Sequence, residues 1–166
     1  KKGHTIMKQQ QANLKLVRFC GEELYPVEHA TWHFHEDEEM NELWLEIEAG
    51  AGIQLSEDTK ELGGQPHWTL TVRIKDLKLS DLTIGFETCI EDGYDDDLDD
   101  TVTNFYYCEH EPTDNNKIEI LDTKRNWYKG TKKILFKVTG EVMDVNYYDG
   151  SKPKNTILVE AWFDQD

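Results

Sequence analysis

The sequence predicts a single all-β domain, an antiparallel sandwich or partly open barrel of about nine strands with little helix. Apolar and polar residues alternate with period two in run after run, and Gly, Pro, Asn and Asp punctuate those runs about every dozen residues. No segment carries an apolar stripe at i, i+3, i+4 and i+7 behind a cap. A chain of 166 residues fits one domain and buries about two-thirds of its unfolded surface without staples.

Residues 1–12 are polar and lack an apolar run, so they read as a mobile tail, with the domain over 13–166. N-L-K-L-V-R-F (13–19) is the first strand. T-W-H-F-H (31–35) turns Trp32 and Phe34 inward and Thr31, His33 and His35 outward. E-L-W-L-E-I-E (42–48) turns Leu43, Leu45 and Ile47 inward, and D-E-E-M-N between the two runs reads as a hairpin tip. Pairing inward residues with inward ones sets His33 and His35 beside Trp44 and either Glu42 or Glu46. S-E-D-T-K-E-L (56–62) suits one helical turn.

W-T-L-T-V-R-I (68–74) alternates again, as does D-L-T-I-G-F-E-T-C-I (81–90) with Leu82, Ile84 and Phe86 inside. T-N-F-Y-Y-C-E-H (103–110), K-I-E-I-L (117–121), K-I-L-F-K-V (133–138), E-V-M-D-V-N-Y-Y (141–148) and T-I-L-V-E-A-W-F (156–163) complete the set. G-A-G, G-G-Q-P, E-P-T-D-N-N and Y-D-G-S-K-P supply the turns.

Eighteen Lys and Arg stand against 34 Asp and Glu, a net charge of −16 that repels nucleic acid. No apolar run approaches the length of a membrane span. Cys20, Cys89 and Cys108 are odd in number and form no C-x-x-C pair, which points to reduced thiols and a cytoplasmic setting.

The acids are clustered. E-D-G-Y-D-D-D-L-D-D (91–100) invites a calcium reading, yet an EF-hand loop begun at Asp95 meets Asp100 where Gly belongs and Tyr106 where Glu belongs. A loop begun at Asp92 meets Tyr94 at its third position. Three readings remain: a solvated loop, a calcium site of another kind, or a docking surface for a basic partner. The docking reading names Asp92, Asp95, Asp96, Asp97, Asp99 and Asp100, together with Glu36, Asp37, Glu38 and Glu39 at the hairpin tip. Trp44, set among glutamates, is its aromatic anchor.

Three side chains have the types and spacing of a transition-metal site: His33, His35 and Glu39. W-H-F-H-E-D-E-E resembles the H-x-H-x(3,4)-E stretch of cupins, and that resemblance implies a metal held inside a barrel. It covers only those positions, without the flanking Gly or a second-half P-x-G-x-x-H. There is no G-x-S-x-G, Walker-type loop or dinucleotide fingerprint, and Cys108 with His110 shares a face by alternation alone.

The expected function is therefore a non-catalytic, acidic protein–protein interaction module. An immunity or inhibitor-type protein that masks a basic partner such as a toxin nuclease fits it best, with no cofactor required. The alternatives are a zinc-type or calcium-binding sandwich or cupin-like barrel, and a structural subunit of a larger assembly.

Overall fold

A computed structural model describes residues 11–59 and 64–166. Most of the expected tail and the second half of the 56–62 segment lie outside the described residues; Glu57, Asp58 and Thr59 form a turn. The strands are β1 (Asn13–Arg18), β2 (Gly21–His35), β3 (Asn41–Ala49), β4 (His67–Ile74), β5 (Glu87–Ile90), β6 (Tyr94–Asp95), β7 (Asp100–Thr101), β8 (Thr103–Tyr106), β9 (His110–Glu111), β10 (Asp114–Asn126), β11 (Thr131–Val142) and β12 (Asn155–Gln165). The one described helical element is a 3₁₀ turn, Leu79–Asp81.

Ten strands form one sheet in the order β5-β10-β11-β12-β1-β2-β3-β4-β8-β9, while β6 and β7 make a small hairpin of their own. The long strand β2 is the hinge. Its first part pairs with β1 from Gly21 to Pro26, and its second part pairs with β3 from Val27 to His35. A register shift between Val27 and His29 inserts Glu28 as an unpaired residue, which bends the strand. Beyond the start of β1, the last residues of β12 reach β2 directly, Asp164 opposite Thr31 and Gln165 opposite Trp32, in the one parallel pairing described. The sheet folds over on itself without closing, and β5 and β9 are left as its edges.

The apolar alternation fills the space between the two halves. Leu14, Leu16, Trp32, Leu45, Trp68, Phe136 and Phe163 are essentially inaccessible to solvent. Burying side chains of this size contributes about 1.5–3 kcal/mol apiece. Both buried indoles find acceptors across the fold: Trp32 Nε1 donates to the Lys132 carbonyl at 2.9 Å, and Trp68 Nε1 to Thr113 Oγ1 at 3.2 Å.

Where the buried face continues, the expected register holds: His33 lies opposite Trp44 and His35 opposite Glu42. Three segments depart from expectation. Only Glu87–Ile90 of 81–90 is a strand. Gly85 takes φ 91° and the Phe86 amide bonds back to the Thr83 carbonyl, so Leu82 is buried while Ile84 is 61 % exposed. Period two also describes this apolar turn. The strands expected at 133–138 and 141–148 are replaced by one strand that runs through Gly140 and ends at Val142, leaving 143–148 outside the sheet; residue 140 is a glycine inside that strand, and the Trp68 ring lies where a side chain there would stand. The 103–110 run is split between β8 and β9 by a tight turn.

Candidate functional site

Loop 91–102 is built largely by its own aspartates. Asp92 Oδ1 accepts the Tyr94 amide at 2.9 Å, and Asp95 Oδ1 accepts the amides of Asp97 at 2.9 Å and Leu98 at 3.1 Å. The Tyr94 hydroxyl donates to the Asp99 carboxylate. These short-range bonds are the ordinary turn chemistry of Asp. They fold the segment into the β6–β7 hairpin.

The loop is then fastened to the sheet. The Gly93 amide donates to Asp114 Oδ1 at 3.1 Å, the Val102 amide to the Gly93 carbonyl at 2.8 Å, and the Thr71 amide to the Val102 carbonyl at 2.7 Å. Lys154 holds Asp114 at 2.8 Å. Burial acts to raise the Asp114 pKa, but the Lys154 and Gly93 hydrogen bonds outweigh it and leave the carboxyl below its usual range. Gly93 is itself required, since a Cβ there would stand 2.4 Å from the Thr113 carbonyl.

An open cleft of about 450 Å³ runs between this loop and the sheet, lined by Thr71 and Arg73 of β4, Thr88 of β5, and Asp92, Asp95 and Asp97. The second acidic block borders the same strand. Glu36, Asp37, Glu38 and Glu39 are exposed on the β2–β3 connection, which re-enters the sheet with Asn41 opposite Ile74 and Glu42 opposite Arg73. Trp44 is 41 % exposed on the outer face, opposite Thr71. A shallow groove of about 200 Å³ passes Trp44 and Thr71, so Thr71 belongs to both hollows. The structure thus brings the two acidic blocks and Trp44 around the C-terminal half of β4. Among the described residues, none of the acids at 36–39 or 92–100 is engaged by a Lys or Arg ion pair.

His33 and His35 flank the same indole, with ring centroids 5.1 and 4.9 Å from that of Trp44. They lie on the outside of the sheet, opposite in phase to the buried Trp32, so the interior site that the cupin resemblance implies is not formed. Glu39 is on the exposed tip. Among the described residues, Glu46, Glu48 and His67 bring donor atoms within 4.8 Å of one another.

Sequence reasoning missed the most heavily connected polar cluster. The Arg18 side chain is fully buried, as are Glu23 and Asp144. The guanidinium meets Asp144 at 2.8 and 2.9 Å, Asp58 at 2.8 and 3.0 Å, Glu23 at 3.2 Å and Ser56 Oγ at 3.0 Å. Glu23 in turn accepts the hydroxyls of Tyr25 and Tyr107. Burial acts to lower the Arg18 pKa, yet Asp144, Asp58 and Glu23 more than reverse it. For Asp58 burial works upward, and hydrogen bonds from Ser56, Cys20 and Arg18 still hold it at about 2. Burial, with Glu23 adding to it, pushes Tyr107 up to about 12. A signal for this cluster was present: Arg18 is in phase with the inward Leu14 and Leu16.

The cluster is self-satisfied and contains no activated nucleophile. Burial and the neighbouring Asp58 push the Cys20 thiol up, and burial does the same at Cys108. Both changes disfavour the thiolate that cysteine chemistry needs. Cys20, Cys89 and Cys108 are all unpaired thiols, and no described helix is long and apolar enough to cross a membrane.

Comparison of the chain with protein-family models, with curated proteins and with solved structures finds no match.

Proposed function

We propose that this chain is a non-catalytic acidic docking module that occupies a basic protein, in the manner of an immunity or inhibitor-type protein masking a toxin nuclease. One observation carries the reading: an acidic loop fastened to β4 at Thr71 and an exposed indole paired with that same Thr71 lie side by side, and among the described residues the loop's carboxylates are not spent on Lys or Arg ion pairs. Carboxylates on a protein of net charge −16 steer a basic partner at long range and raise its association rate. A loop already held by its own hydrogen bonds loses little conformational freedom on binding. Trp44, flanked by His33 and His35, supplies the apolar contact that shields such an interface from water.

The same charge disfavours nucleic acid and anionic membrane surfaces as partners. Three unpaired cysteines suit a reducing compartment, and we place the protein in the cytoplasm. The test is affinity capture from lysate at low and at high salt. A basic protein retained at low salt and eluted by salt supports the reading; retention of only neutral or acidic proteins overturns it.

A further inference from the structure

We propose that the outer face of β3 and β4 binds a divalent transition ion of the zinc class through Glu46, Glu48 and His67. Strand geometry puts these side chains together. Glu46 and Glu48 are two apart on β3 and therefore share a face. His67 is the register partner of Glu48, and Thr69 that of Glu46, so His67 stands one rung from Glu46 as well. Their donor atoms all lie within 4.8 Å of one another, and His67 Nε2 is already 3.1 Å from Glu46 Oε1. Metal bonds of about 2.0–2.2 Å in a tetrahedron separate donors by about 3.4 Å. Small side-chain rotations close that difference.

Charge argues in the same direction. Two carboxylates are gathered around a single imidazole, and among the described residues no Lys or Arg forms an ion pair with either. A cation at their centre removes the repulsion. An imidazole nitrogen among carboxylate oxygens selects zinc-class ions over calcium and magnesium, which take all-oxygen shells. The frame is also rigid, because β3 and β4 are interior strands flanked by β2 and β8. Three protein ligands leave a position for water or for a donor from another molecule. Glu46 also lines the groove beside Trp44, but the acidic loop supplies none of the three ligands, so metal binding is tested independently of the docking reading.

The test is calorimetric titration of chelator-treated full chain with zinc chloride, paired with the visible spectrum of the cobalt-loaded protein. One ion per chain and a tetrahedral cobalt band are expected. H67A, and separately E46Q/E48Q, should weaken binding at least tenfold and bleach the band. These side chains are partly or largely exposed, so the variants are expected to stay folded, which circular dichroism checks. The proposal is overturned by the absence of heat and band, by binding that survives H67A, or by binding lost in H33A/H35A but retained in H67A.

Discussion

Asp144 grips the guanidinium of Arg18 side-on from 126 residues away, with Nε donating to Oδ2 at 2.8 Å and an Nη to Oδ1 at 2.9 Å. Both side chains are fully buried. A buried charge stripped of one partner cannot recover its hydration. Replacing Asp144 by Ala is therefore expected to destabilise the fold by about 3–5 kcal/mol, read from urea unfolding. A loss under 1 kcal/mol would mean that water or Asp58 makes up the contact.

Acid should weaken the same cluster. Asp58 titrates at about 2 in the folded chain against an ordinary 3.8, and Asp144 is also held low, burial working upward but Arg18 outweighing it. Folded values below unfolded ones mean that the unfolded chain binds protons first, so stability rises with pH through this window. The contribution is complete above about pH 4 and fades as pH falls toward 2. Melting temperatures measured from pH 6 to pH 2 should show that fall, and D58N should flatten part of it. An acid limb identical in wild type and D58N would exclude Asp58 as a source.

Gly140 has no room for a side chain. A Cβ would stand 2.5 Å from Asn116 Oδ1 and 2.9 Å from Trp68 Cζ2, between groups that are themselves buried. Gly140→Ala should cost about 1–3 kcal/mol by overpacking and alter the emission of Trp68. Gly130 is a useful contrast, with φ 64° and open space around it, so Gly130→Ala is limited to a backbone cost of about 1 kcal/mol.

Changing Asp95, Asp96, Asp97 and Asp99 together to Asn retains the Oδ1 acceptors that hold the loop while removing four charges. Association with a basic partner should slow and lose much of its salt dependence, as stopped-flow mixing would show. The melting temperature should stay level or rise slightly as repulsion is relieved. A large drop in stability would indicate that the loop holds a cation.

How much of this was readable beforehand depended on whether one face of a segment was buried. His33 opposite Trp44 and His35 opposite Glu42 followed from alternation, because a one-residue slip would turn Trp32 and Leu43 outward. Segment 81–90 alternates as well, yet a turn at Gly85 breaks it, and composition does not distinguish the two cases. The acidic blocks were visible as charge, but their common border on β4 was not, since it depends on the path of loop 91–102 back to Thr71. The inward phase of Arg18 with Leu14 and Leu16 marked one member of the buried cluster, but no spacing links it to Glu23, Asp58 and Asp144, which are scattered along the chain. Glu46, Glu48 and His67 needed the register of β3 against β4, across a connection that carries no pattern of its own.

The place of β12 in the sheet bears on how the molecule reaches its native state. Residues 155–165 fill the gap between β1 and β11 and touch β2 as well, joining segments from opposite ends of the described sequence. A nascent chain lacking them has no strand to join its first two strands to β10 and β11, and the inward faces of those strands stay open to water. The local pairings β1–β2–β3–β4 and β10–β11 need no help from this segment, but completion of the sheet must wait until it has left the ribosome. Contacts so distant in sequence also place the protein among slow folders, in the millisecond-to-second range. During that interval a net charge of −16 opposes association of neighbouring copies through their open apolar faces.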